Sequence, residues 1–267
     1  MTSGTCLLVL GGEIKDTVLF RQRLEEADLV LAADSGARHM LRAGVFPDRV
    51  YGDMDSLSAG EIGLLEKGGC RFVVSPAEKD DTDGGIVLKE ALDRGFKDIR
   101  IWGALGGRPD HAYANIMLLQ LALMPAGDVA DGGVADGDAP TGDGADSDVT
   151  DNDVPTSDMP TGDARSGDAP TGDVADGDAP NVVIEDGGVR IFLAKQGQWI
   201  EGKRGSYLSI FALSPEVTGF TQTGLKYQPA GGRYASRFPL GVSNAFLEEK
   251  VCLNWEKGII LCMQIEA

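Results

Sequence analysis

The sequence predicts an α/β fold: an N-terminal parallel-sheet α/β domain over residues 1–124, then a C-terminal antiparallel β-sandwich domain over residues 182–267. A low-complexity Asp/Gly/Pro-rich linker, expected to be disordered, separates them over residues 125–181. Three observations carry this expectation. In the first 124 residues, short β-rich runs alternate with amphipathic helical stretches, which is the spacing of βαβ units. After residue 182 the β-type runs are divided only by Gly, Pro, Ser and Asn, as in a small sandwich or barrel. Between the two regions, GDAPTGD occurs at 137–143 and 167–173, and VADGDAP at 134–140 and 174–180. Such a stretch is too poor in apolar side chains to offset its chain entropy.

Taken in order, strands are expected at residues 6–10, 29–33, 49–51, 71–74 and 99–102. Helical periodicity falls at 16–27, 37–43, 59–67, 82–94 and 111–123. In the last third VVIEDGGVRIFLAK, SYLSIFALS, KVCLNW and GIILCMQIE read as strands, with Gly187-Gly188 as a hairpin turn.

Composition narrows the function classes. The content is 42% hydrophobic and 25% charged, as in ordinary globular proteins. No apolar run is long enough to span a bilayer and the first residues lack a basic leader, so a cytoplasmic protein without membrane association is expected. The net charge of −18 is concentrated: residues 125–180 hold fifteen Asp, no Glu and one basic residue, Arg165. The remainder is mildly acidic and carries no basic stripe, which excludes nucleic acid as a partner. Cys6, Cys70, Cys252 and Cys262 lie far apart without metal-ligand spacing, which predicts free thiols and no zinc. The insertion lacks a regular calcium-binding repeat and reads as a removable solvated linker. A calcium-buffering protein is the alternative resting on it alone, and deleting residues 126–180 tests that alternative.

The carboxylates fall in a pattern. Asp34 follows LVLAA, Asp53 and Asp55 follow RVYG, Asp80, Asp81 and Asp83 follow RFVVSPAEK, and Asp110 follows IRIWGALGGRP. Each group lies just past a predicted strand, on the edge where open parallel sheets bind ligands. Converging carboxylates repel one another unless a cation sits among them, and hard oxygen ligands suit Mg²⁺ with substrate phosphates. Asp34, Asp55 and Asp83 also stand where helix N-caps are expected, and that reading stays open for each. In GALGGRPDH (103–111) the glycines allow a ligand close to the backbone, and Arg108 offers a bidentate fork to phosphate. Neither a Walker A loop nor GxGxxG is present. His39 reads as a packing or surface residue and His111 as an orienting or capping one.

ADSG (33–36), GDMDS (52–56), KDDTD (79–83), GALGGRPDH (103–111), TGLKY (223–227) and GVSN (241–244) resemble, in order, the successive motifs of thiamine pyrophosphokinases. The resemblance covers both halves and omits only the linker. It implies an ATP-binding α/β domain, a thiamine-binding β-sandwich and a homodimer with active sites between subunits. It also implies Mg²⁺-dependent transfer of the ATP pyrophosphoryl group to the thiamine hydroxyl. Asp53, Asp55 and Asp83 match the metal-phosphate acids, and Asp80 a further acid of its motif, with Asp81 at a variable position. Asp34, Ser35, Gly36 and Gly106 match nucleotide-side positions, and Arg108 and Asp110 the loop near the phosphates. Tyr227 stands where many relatives carry Trp, and with Ser243 and Asn244 it matches the thiamine end. The linker is not a family feature. Two other classes compete: a Mg²⁺-dependent phosphatase using Asp53 as nucleophile and Asp55 as acid/base, and a non-catalytic nucleotide- or thiamine-binding relative. Against the first, Leu57 stands where that phosphatase pattern has Thr or Val.

Overall fold

The computed structural model describes residues 2–74, 82–124 and 179–266. Asp80, Asp81 and all but the last residues of the linker lie outside the described residues. The first half runs β1 (Thr2–Val9), α1 (Thr17–Glu26), β2 (Leu29–Ala33), a 3₁₀ turn (Asp34–Gly36), α2 (Ala37–Ala43) and β3 (Arg49–Gly52). It continues through α3 (Ala59–Lys67), β4 (Arg71–Val74), α4 (Asp83–Asp93), β5 (Phe96–Trp102), α5 (Pro109–Met117) and a 3₁₀ extension (Leu118–Leu123). The helix expected at 111–123 therefore starts two residues early, because Pro109 takes the first position, where its fixed φ suits a helix and its missing N–H costs nothing.

Central strand β1 shows why the sheet is covered on both faces. Leu7 and Val9 point into one core with Phe20, Leu24, Met40 and Leu65 of α1, α2 and α3. Cys6, Leu8 and Leu10 point into another with Val87, Leu88 and Ala91 of α4. The period of two in the strand thus meets the helical stripes on either side. Trp102, fully buried, closes the first core with its ring centroid 5.4 Å from that of Phe20.

The second half comprises β6 (Asn181–Asp186), β7 (Val189–Leu193), β8 (Trp199–Glu201), β9 (Tyr207–Ala212), β10 (Glu216–Val217) and β11 (Thr221–Thr223). It ends with β12 (Tyr234–Ala235), β13 (Gly241–Ala245), β14 (Lys250–Asn254) and β15 (Ile260–Ile265). As expected, it is antiparallel and sandwiched. The layer β11-β14-β8 packs on β7, β9 and β15 through a core that includes Phe192, Ile210, Phe246, Leu253 and Cys262. Gly187 and Gly188, with φ of 56° and 78°, turn the β6–β7 hairpin.

The two halves share one ten-stranded sheet, in the order β13-β9-β15-β7-β6-β5-β1-β2-β3-β4. Strand β6 pairs in parallel with β5, Ile99 opposite Val182 and Ile101 opposite Ile184, so the chain returns from the linker directly into the first domain's sheet. Glu185 anchors that junction, accepting from the Arg23 guanidinium of α1 at 2.9 Å. Asp186 accepts from the backbone amide of Lys15 at 3.0 Å. All four cysteines are free thiols, three of them buried. Among the described residues, no helix is long and apolar enough to cross a membrane.

Side-chain caps fall on residues other than Asp34, Asp55 and Asp83. Asp16 caps α1, Ser58 caps α3 in a reciprocal box with Glu61, and Thr82 caps α4. Asp34, Asp55 and Asp83 are thereby released from the capping reading. Glu61 is held at about 2, first by the Arg38 guanidinium and then by Ser58. A depressed carboxyl stabilises the fold above its ordinary value of 4.5, and that contribution fades as pH falls towards 2. Urea midpoints of Glu61→Gln are therefore expected below those of the parent at pH 7 and equal to them near pH 2. A gap independent of pH sinks this assignment.

Candidate functional site

The sheet's chain order reverses between β1 and β5, since β2, β3 and β4 extend one way and β5 and β6 the other. A crevice at such a switch point is where open α/β sheets bind ligands. Here Leu10 donates from its amide to the Trp102 carbonyl at 2.8 Å, and Gly12 to the Gly103 carbonyl at 2.8 Å. A cavity of about 430 Å³ opens over these strand ends, walled by Gly11, Asp34, Ser56, Asp83, Gly106 and Arg108 among others.

Asp34 occupies the end of β2 in a backbone conformation uncommon for a side-chain-bearing residue, φ 41°. Met54, between Asp53 and Asp55, has φ 63°. Left-handed conformations in non-glycine residues cost roughly 1–3 kcal/mol and concentrate at functional sites. Here they turn the carboxylates towards one another: one oxygen each from Asp34, Asp53 and Asp55 lies within 4.8 Å of the others. Gly52 permits this approach, for a Cβ there would stand 3.0 Å from Asp34 Cβ, and its φ of 141° is glycine's own.

Electrostatics agree with the geometry. Asp34 is raised above the usual carboxylate range, first by burial and then by the charges of Asp83 and Asp53, with Ser56 and Ser35 opposing through hydrogen bonds. Its Oδ1 is buried and has no hydrogen-bond partner. A carboxylate with one desolvated, unpartnered oxygen, grouped with two more carboxylates, forms a set of hard ligands suited to a divalent cation of the magnesium type. The donor set fits such an ion.

The sequence-derived residues divide between two places. Asp34, Ser35, Asp83, Gly106 and Arg108 line the crevice, and Asp53 and Asp55 reach it through Asp34. Gly36, directly behind, is buried. Asp110 is turned away into an exposed pair with Arg108 at 2.6 Å, which lowers its own pKa. Arg108 is thus poised at the mouth but occupied. Tyr227, Ser243 and Asn244 belong to the antiparallel half and none of them lines the crevice. Asn244 is 2% exposed and uses its amide on a neighbour. It accepts from Tyr227 N at 2.8 Å and donates to Tyr227 O at 2.7 Å. Tyr227 is 56% exposed, with Lys226 Nζ 5.1 Å from its ring centroid. Ser243, at φ 57°, is held by its amide donating to Ser209 Oγ at 3.0 Å.

Sequence reasoning missed three residues. Asn115, one helical turn beyond His111 on α5, donates to the Ala104 carbonyl at 3.0 Å and lines the crevice. His39, read as packing, donates its Nε2–H to the Gly12 carbonyl at 2.8 Å and so fixes the turn after β1. Burial lowers its pKa. Arg38 joins α2 to the loop carrying Asp53 and Asp55. The i,i+4 spacing from His111 was the only signal for Asn115; nothing in the sequence singled out the other two.

Fold and site together define an open α/β protein with a carboxylate-lined crevice at its switch point, extended by a β-sandwich that shares its sheet. The model of the thiamin pyrophosphokinase catalytic domain matches residues 20–126, and that of the thiamin pyrophosphokinase vitamin B1 binding domain residues 195–260. The chain belongs to the thiamine pyrophosphokinase family. The thiamine pyrophosphokinase of Bacillus subtilis is 39% identical over 95 residues, 36% of this chain and 44% of that protein, so the aligned stretch spans less than half of the relative. Solved structures extend the fold likeness to the whole chain. The thiamine pyrophosphokinase of Bacillus subtilis superposes with a TM-score of 0.69 at 21% identity, covering 98% of this chain and 99% of that one. That of Geobacillus thermodenitrificans gives 0.67 at 21%, covering 98% of each. The yeast enzyme gives 0.66 at 16%, covering 99% of this chain and 87% of its own.

Proposed function

We propose that this chain is an ATP:thiamine diphosphotransferase that makes thiamine diphosphate and AMP in the cytoplasm. The observation that carries the reading is the carboxylate trio, with Asp34 Oδ1 buried and unpartnered beside Asp53 and Asp55. These three, with Asp83 at the crevice wall, would hold Mg²⁺, which neutralises charge on phosphate oxygens when bound. The resemblance had placed the metal on Asp53, Asp55 and Asp83. The acid cluster supports Asp34 as a further ligand, with Asp83 offered from the first turn of α4.

The remaining work falls to positioning, as in phosphoryl transfer generally. The glycine-lined turns after β1 and β5 let the triphosphate approach the backbone. Arg108 exchanges Asp110 for a phosphate oxygen, a swap available to an exposed pair. The thiamine hydroxyl attacks the β-phosphorus in line, the bond from that phosphorus to the oxygen bridging it to the α-phosphorus breaks, AMP leaves with that oxygen and its electron pair, and a carboxylate of the rim takes the hydroxyl proton.

Thiamine is assigned to Tyr227 and the segment around Ser243, away from the crevice of the same chain. A homodimer in which one chain's antiparallel half faces its partner's acids unites the two ends. Exposed Phe238, Leu240 and Val242, on and before edge strand β13, suit such a contact. Asn244→Ala is expected to remove two hydrogen bonds from the Tyr227 backbone, leaving its carbonyl only the longer bond from Gln222 Nε2 at 3.4 Å and lowering stability by about 2 kcal/mol. It should also raise KM for thiamine more than KM for ATP, measured in parallel titrations. Equal changes in both would assign Asn244 to folding alone.

The deciding assay incubates the protein with thiamine, ATP and Mg²⁺ and quantifies products by chromatography. Equimolar AMP and thiamine diphosphate, abolished by chelator, are expected. Inorganic phosphate alone supports the phosphatase alternative, and binding without turnover the non-catalytic one.

A further inference from the structure

The loop from Asp53 to Ser56 bears two of the three clustered carboxylates, yet few bonds restrain it. Asp55 N donates to Asp53 Oδ1 at 3.1 Å, and Leu57 N donates to the Met54 carbonyl at 3.2 Å. Both contacts are internal and curl the loop without fixing its place. Its place is set by the Leu57 and Met54 side chains, which pack in the first core, by a hydrogen bond of Ser56 to Asp34, and by Arg38. The Arg38 guanidinium donates to the Ser56 carbonyl and grips Glu61 in bidentate fashion, Nε at 2.9 Å and Nη2 at 3.4 Å. Glu61 is in turn locked to Ser58 at the start of α3 by hydrogen bonds of 2.8 Å from the Ser58 amide and hydroxyl.

Arg38 stands four residues after Asp34, on α2, so one guanidinium ties the segment carrying Asp34 to the segment carrying Asp53 and Asp55. That strut spans the ends of adjacent strands β2 and β3. The carboxylates it holds together repel one another, so cutting the strut lets their spacing widen while Leu57 and Met54 keep the loop on the core. The side chain is 39% exposed and belongs to no core cluster, so cutting its surface ion pair costs the fold only a modest part of its stability.

We infer that Arg38 is a positioning residue that sets the spacing of the acid cluster and thereby its affinity for a divalent cation. This rests on the reading of Asp34, Asp53 and Asp55 as cation ligands. Arginine is required because the fork must serve the Glu61 carboxylate and the Ser56 carbonyl at once, which the single ammonium of lysine does not do. Removing partners that orient metal ligands weakens metal binding by about 10–100-fold.

The test is Mn²⁺ titration of the full chain without substrates, followed by electron paramagnetic resonance of free Mn²⁺. Thermal unfolding of each protein is run alongside. Arg38→Gln and Arg38→Lys are expected to raise the Mn²⁺ Kd by about tenfold or more, with melting temperatures close to the parent's. In the turnover assay both should need more Mg²⁺ for half-maximal rate, with much of kcat regained at saturation. An unchanged Kd in both variants overturns the inference, whether or not melting falls, because a purely structural ion pair moves only the melt. A parent that binds no Mn²⁺, or binds it equally well as Asp53→Asn, overturns the cation site itself and the inference with it.

Discussion

Asp53→Asn is expected to lower turnover by about 10³-fold, roughly 4 kcal/mol of barrier, without unfolding the protein. The substitution keeps the shape of the side chain and removes its charge. In the native site that charge lies among those of Asp34 and Asp55, with participating oxygens inside 4.8 Å of one another. Before any cation binds, the charge is a source of repulsion, so its removal leaves stability unchanged or slightly higher. Once phosphates and cation are present, the same charge becomes part of the stabilisation of the transferring group. A variant that melts like the parent and no longer turns over is the expected signature, read by calorimetry and by AMP release. Near-normal turnover in Asp53→Asn would remove the acid cluster from the mechanism.

The second large effect is expected at Gly36, a buried residue between Asp34 and α2. Its φ of −56° suits any residue, so conformation is not the reason for glycine. Space is: a Cβ there would fall well inside contact distance of the Val9 carbonyl oxygen, on the backbone of β1. Neither group has a flexible side chain to move aside. Gly36→Ala must therefore push α2 off the sheet, at a cost of about 3 kcal/mol, and carry Asp34 out of line with it. Urea unfolding should show the loss of stability and the turnover assay a loss larger than the unfolded fraction explains. Gly60→Ala is the control, since nothing lies within 4 Å of a Cβ at that position on α3. A Gly36→Ala protein as stable as this control would contradict the packing account.

Much of the fold was legible because the signals were local. Strands at 29–33 and 71–74 and helices at 37–43 and 59–67 coincide with the observed bounds, where apolar periodicity, Gly44 and Ser58 punctuate the chain. What the sequence did not disclose is that β6 joins β5. Parallel pairing across a long insertion leaves no local trace, and the two halves read as separate bodies. The acids were legible for a related reason: strand ends are easy to place, and Asp34, Asp53 and Asp55 each follow one. Their mutual approach depends on positive φ at Asp34 and Met54, residues that rarely adopt it, which no propensity foretells. The polar supports were illegible. Arg38 looks like any surface arginine on a helix, and Asn244 like a ligand-facing amide until its partner Tyr227 is seen.

The parallel ladder between β5 and β6 has a consequence for how substrates are captured. Two-part enzymes commonly trap ligands by swinging one lobe over the other about a flexible hinge. Here the lobes are welded along a strand, with Asp98 to Ile101 in register with Asn181 to Ile184, and the weld is backed by Arg23 and Glu185. Among the described residues, swinging them apart between β5 and β6 would tear a row of backbone hydrogen bonds. Enclosure of a ligand in the crevice would then come from short loops at the rim, or from the surface of a second molecule pressed against it, with the described halves acting as a single plank.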